Sequence, residues 1–185
     1  MLPILLIVGL VILAFGVISA YNSLISLKNQ VMNAWKQIDV QLKRRHDLIP
    51  NLVNTVKGAM NFEKQTLEAV IAARNKAVNA TGVAATAKAE GELTQALGRL
   101  FALTEAYPDL KATGNIAQLQ EEITSTENKI SFSRQLYNDT ATAYNTKQMQ
   151  FPTNLVAGLA KAVPAELWEI EDAAERAVPK VDLTM

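Results

Sequence analysis

The first 27 residues carry no charged side chain; Lys28 is the first. From Leu2 to Leu24 the chain is almost wholly apolar. A helix of about 21 residues rises about 30 Å, the thickness of the hydrocarbon layer of a bilayer. Residues 1–24 are therefore predicted to form a transmembrane anchor. Pro3 falls in the first turn, where a missing N–H does no harm. Tyr21 falls where a ring with one wet end suits the membrane interface. The alternative is a cleaved signal peptide. That requires a basic leading region, absent here, and a small-residue cleavage site, for which Ile18-Ser19-Ala20 is a weak match. Gly9 and Gly16 lie seven residues apart and so share one helix face. Small residues on one face let membrane helices approach closely, which makes this pair a candidate packing face.

The anchor is flanked asymmetrically. Before it stands only the α-amino group, whereas Lys28, Lys36, Lys43, Arg44 and Arg45 follow it. By the positive-inside rule the N-terminus is expected outside and the rest of the chain in the cytoplasm. The whole chain has 18 basic and 18 acidic side chains, a balance that argues against nucleic acid as a partner. There is no cysteine, which excludes disulfides, thiolate metal sites and cysteine nucleophiles.

Beyond the anchor the apolar positions alternate steps of three and four. Leu24, Leu27, Val31, Ala34/Trp35, Ile38 and Leu42 continue into Ile49, Leu52, Val56 and Met60, then Leu67 and Val70. This is the buried stripe of a long helix. No Gly or Pro separates Gly16 from Pro50, so the anchor is expected to run straight into it. Pro50 is expected to kink it, and Asn79-Ala80-Thr81-Gly82 to end it. A second helix is predicted over 84–106, closed by Tyr107-Pro108-Asp109. A third is predicted from Asn115, as N-cap, to about Gln150, with Ile116, Leu119, Ile123, Thr126, Ile130, Tyr137, Ala141 and Tyr144 as its stripe. The fold class is all-α: an N-terminal transmembrane helix continuous with an antiparallel bundle of long helices over 25–151, packed like a coiled coil. Residues 152–185 form a C-terminal amphipathic acidic tail, split by Pro164.

Few residues suggest chemistry. The single histidine lies in Lys43-Arg44-Arg45-His46-Asp47. Adjacent helix residues do not face each other, so His46 and Asp47 make no dyad, and a partly solvated His on a basic face is expected. Glu121, Glu122 and Glu127 lack the Glu-x-x-His pairs of a di-metal bundle, so no metal and no cofactor are expected. Lys43, Arg44 and Arg45 are expected to pair with acidic residues of neighbouring helices or subunits. Tyr137-Asn138 and Tyr144-Asn145 share one face, where such groups usually bond to backbone or to each other. In the tail, Leu167 and Trp168 lie among Glu166, Glu169, Glu171 and Asp172 and are candidate contacts for a protein partner or another subunit, the alternative being a helix folded back on the bundle.

Several of these stretches resemble the LemA family. The most specific is Ala34-Trp35 followed by Ile38-Asp39-Val40-Gln41-Leu42-Lys43-Arg44-Arg45-His46-Asp47-Leu48-Ile49-Pro50-Asn51-Leu52-Val53. Others are Thr55-Val56-Lys57-Gly58, Glu105-Ala106-Tyr107-Pro108-Asp109-Leu110-Lys111, Leu119-Gln120-Glu121-Glu122, Thr126-Glu127-Asn128-Lys129-Ile130 and Phe151-Pro152. The resemblance marks Trp35, Asp39, Lys43, Arg44, Arg45, His46, Asp47 and Pro50 as signature positions. The sequence departs from the family pattern at Ala59, Phe62 and Ile116. What the resemblance implies is a bacterial membrane protein with a cytoplasmic helical domain and no enzymatic activity, with some relatives tied to membrane organisation. Together these features lead to the expectation of a self-associating scaffold that organises or shapes the bilayer. The alternative is a membrane-tethered adaptor recruiting a partner through its bundle or acidic tail.

Overall fold

The computed structural model describes residues 1–59, 64–107 and 114–169. In chain order the helices are α1 (Leu2–Ala59), α2 (Lys64–Val78), α3 (Val83–Ala106), α4 (Gly114–Met149) and α5 (Thr153–Ala157). The described residues contain no strand, so the all-α class holds. Most helix ends fall within a residue of where composition puts them. Helix α3 begins after Gly82, whose φ of 85° is a conformation that side chains other than glycine rarely adopt. Asn115 is not the cap of the third long helix. It lies one residue inside α4, which already includes Gly114. Helix α1 continues through Pro50 to Ala59.

The chain divides into two compact units. The first comprises Met1–Arg45 and Glu122–Leu167. Along α1, residues 1–19 are all exposed, and Ala20 and Leu24 are the only buried positions among the first 24. That stretch has a mean hydropathy of 2.8 over its most apolar window, none of which is buried, and is long enough to cross a membrane. From Leu24 the stripe turns inward: Leu24, Val31, Ala34, Ile38 and Leu42 are buried. Helix α4 answers with Ile123, Thr126, Ile130, Tyr137, Ala141 and Tyr144. The rings of Trp35 and Tyr137 meet edge-on, with centroids 5.4 Å apart and planes at 63°. This geometry sets the positive edge of one ring against the negative face of the other.

The second unit comprises His46–Glu121 and the chain from Trp168. Helices α2 and α3 form a hairpin across the turn at 79–82, with the exposed pair Lys76–Glu92 at 2.6 Å. The core holds Ile49, Leu52 and Val56 from α1, Leu67 and Val70 from α2, Leu93, Leu97 and Leu100 from α3, and Ile116 from α4. Gln120 Nε2 donates to Thr104 Oγ1 at 2.5 Å, tying the start of α4 to the end of α3.

Among the described residues of the tail, only α5 is helical. Residues 158–161 form turns, and 162–169 have no regular structure. Two prolines and a glycine lie within 152–164, and neither residue type favours a continuing helix. The tail is held by α4. The Asn145 side chain donates to Ala165 O at 2.8 Å and accepts from Ala165 N at 2.7 Å, and the Tyr137 hydroxyl donates to Glu166 O at 2.7 Å.

Candidate functional site

The signature run of α1 spans a change of surroundings. Adjacent residues on a helix point roughly 100° apart, so Arg45 and His46 face different directions. Arg45 belongs to the first unit and is only 1% exposed, its Nη1 paired with Glu127 Oε2 of α4. Burial holds the Arg45 guanidinium below its ordinary range, and Glu127 offsets only part of that. An uncompensated guanidinium at that depth would cost several kcal/mol, of order 3–5, so the carboxylate is a condition of the fold.

His46 belongs to the second unit. Its Nε2 lies 2.6 Å from Glu90 Oε1 of α3, and both residues are buried. The Nε–H of Arg74 donates to the His46 carbonyl at 2.7 Å. This corrects the expectation of a partly solvated histidine. The basic face around it is solvated at Lys43 and Arg44, but His46 points into a core that offers a carboxylate. Glu90 carried no sequence signal of its own. With hindsight the signal is its place beside Ala89 and Leu93 on the inward face of α3, where a carboxylate requires a partner.

The remaining signature residues frame these pairs. Trp35 is half-buried against Tyr137, and Asp39 is exposed along its helix. Lys43, Arg44 and Asp47 are exposed, and Pro50 is half-buried. Leu167 is half-buried and Trp168 is buried, so the indole packs within the chain. The tail from residue 170 onward, including Glu171 and Asp172, lies outside the described residues. At Gly9 and Gly16 an added Cβ would meet nothing within 4 Å, so that face of the anchor is open.

Chemically the arrangement pairs charges and closes helices on one another. The Nε2 of His46 is already engaged by Glu90 in a buried position, which leaves that nitrogen no access to a substrate. Among the described residues no group of three or more His, Asp or Glu side chains converges in a way that could hold a metal ion.

The chain is similar to known proteins over most of its length. The model of the LemA family matches residues 34–183. The chain is 32% identical over 145 residues to Protein LemA of Metamycoplasma hominis, covering 77% of this chain and 66% of that protein. It is 22% identical over 181 residues to each of two magnetosome proteins of Paramagnetospirillum magneticum, MamQ 2 and MamQ 1, covering 84% of this chain and 66% of theirs. The chain thus spans just under two-thirds of the length of these curated relatives.

Proposed function

Because the chain belongs to the LemA family, we propose that it is a single-pass membrane protein acting as a self-associating scaffold that organises or shapes the bilayer. Its role is structural rather than catalytic. The observation that carries this reading is the fully exposed apolar first third of α1, with Gly9 and Gly16 opening one face to a neighbouring helix. Lipid tails are as apolar as leucine, so close packing at small residues is what brings such helices together. The similarity to proteins named for the magnetosome supports a role at a membrane. The lysines and arginines that follow the anchor favour an N-terminus outside and a helical domain in the cytoplasm, at the inner membrane.

The test is the mass of the full-length protein in mild detergent, by size exclusion with light scattering. The expected result is a defined homo-oligomer that loses subunits when Gly9 and Gly16 are both changed to Leu. A monomer for both forms defeats the scaffold reading. The rival adaptor reading would use the bundle or the acidic tail, with Leu167 and Trp168 as contacts. With Trp168 at 4% exposure, a partner could reach the indole only after the tail left its seat.

A further inference from the structure

Within the first unit, α1 and α4 run antiparallel in a fixed register. Arg45 pairs with Glu127, and ten residues earlier on α1 Trp35 meets Tyr137, ten residues later on α4. Both helices rise about 1.5 Å per residue, so the register can be followed to the end of α4. Met149 lies twelve residues beyond Tyr137 and is therefore level with Ser23, twelve before Trp35. The chain then makes α5 and the turns at 158–161, and climbs back along α4 to the bonds at Ala165 and Glu166. Residues 149–163 are thus a loop tip beside the place where α1 leaves the bilayer.

The surface of that tip is unusual for an aqueous one. Met149, Phe151, Leu155, Leu159 and Val163 are all between 68% and 79% exposed. The last four recur every four residues, while Thr153, Val156 and Ala160 between them are buried. The tip therefore turns an apolar face outward as well as inward. Five large apolar side chains exposed within fifteen residues mark a contact site. Its charges fit one contact in particular. Residues 1–38 and 142–165 contain no Asp or Glu, and Lys28, Lys147 and Lys161 stand within them. Lysines just above an apolar surface can lay their stems on it and reach phosphate with their ammonium groups.

We propose that residues 149–163 are a second membrane contact, a foot whose Met149, Phe151, Leu155, Leu159 and Val163 side chains enter the headgroup–acyl boundary beside the anchor. The inference rests on the anchor reading above. The foot fixes the tilt and rotation of the first unit on the membrane, which one transmembrane helix alone leaves free. It also separates the start of the tail, which has no Asp or Glu, from its acidic remainder.

The absence of cysteine makes single-site labelling clean. The full-length variants Leu159→Cys, Gln135→Cys and Leu10→Cys each receive a nitroxide and enter vesicles of phosphatidylcholine and phosphatidylglycerol. Collision with oxygen, which partitions into lipid, is compared with collision with a neutral nickel chelate, which stays in water. The foot predicts an oxygen-to-nickel ratio at residue 159 several-fold above that at residue 135, and close to the anchor value at residue 10. Three results overturn it. A ratio at 159 equal to that at 135, with residue 10 lipid-exposed, puts the foot in water. A label at 159 shielded from both colliders means that protein, such as a second copy, covers it. A nickel-accessible residue 10 removes the anchor reading and the foot with it. Because Leu159 is exposed, the substitution is expected to leave helicity and melting unchanged, which circular dichroism of the same sample checks.

Discussion

Residues 2–19 and 20–58 lie on one helix but are written for different solvents. In the first stretch every side chain is exposed, and nearly all are apolar. In the second, apolar residues recur at threes and fours and are buried, while Lys36, Lys43 and Arg44 point outward. The backbone is the same in both. A charge-free stretch long enough to span lipid needs no partner to bury its side chains, whereas an amphipathic stripe is satisfied only by another helix.

The sharpest way to break this comparison is the same substitution in both stretches. Ile38→Asp, at a fully buried position, puts an unpaired charge into the core and is expected to cost at least about 4 kcal/mol. Thermal unfolding followed by circular dichroism in detergent should show the helical domain melting at a much lower temperature or already unfolded. Ile12→Asp should leave that melting unchanged and instead weaken membrane insertion by about 2.5–3.5 kcal/mol, read as the glycosylated fraction in an insertion assay. Equal effects of the two on melting would mean that the two stretches do not face different surroundings.

A smaller effect is expected from the buried pair. Glu127→Gln leaves the Arg45 guanidinium without its carboxylate and should cost about 2–4 kcal/mol, somewhat below the usual value for a buried pair because Glu127 is itself 34% exposed. The double variant Arg45→Met with Glu127→Leu should recover most of that loss. Chemical denaturation reads both, and a double variant no better than the single one would assign Arg45 a role beyond pairing.

Removing the carboxylate opposite His46 sharpens the corresponding point in the second unit. Glu90→Gln keeps the shape but weakens a buried charge-assisted bond, and about 1–3 kcal/mol is expected. Hydrogen exchange should show the loss in α3. Unchanged protection there would mean that the pair contributes nothing to closing the helices.

The smallest effect concerns the clamp on the tail. Burial, and then the nearby Glu166 carboxylate, raise the Tyr137 hydroxyl above its ordinary value. The folded state thus favours the neutral, donating form. Its stabilisation is complete below the ordinary tyrosine value of about 10 and is lost as pH rises from there towards the raised folded value. Tail release measured by limited proteolysis should begin above about pH 10, and that dependence should weaken in Tyr137→Phe, the buried Tyr144 hydroxyl, likewise raised, supplying the remainder. A pH-independent release in the parent protein would separate the clamp from this hydroxyl.

Much of the helical plan was legible from spacing alone. Leu24, Val31, Ile38, Ile123, Ile130 and Tyr137 are buried where the three–four rhythm puts them, because that rhythm is a property of the helix and not of its partner. The helix ends were legible where glycine or proline stands, as at Gly82. Less was legible at the signature. Lys43-Arg44-Arg45-His46-Asp47 reads as a basic patch, yet two of its members are buried against carboxylates 82 and 44 residues away. No local rule couples residues at those separations. The seat of the tail was not legible, for a related reason. Its acidic residues dominate its composition, but what α4 holds is the backbone of Ala165 and Glu166, through Asn145 and Tyr137.

The sequence by itself determined that this chain carries a helix long and apolar enough to span a membrane, that it is all-α, and which face of each long helix turns inward, since hydrophobic length and periodicity are local properties. Only the tertiary structure decided that Arg45 meets Glu127, that His46 meets Glu90, and that Met149 comes level with Ser23. Those are matters of register between helices, and register is set by how side chains distant in sequence interlock once the helices pack.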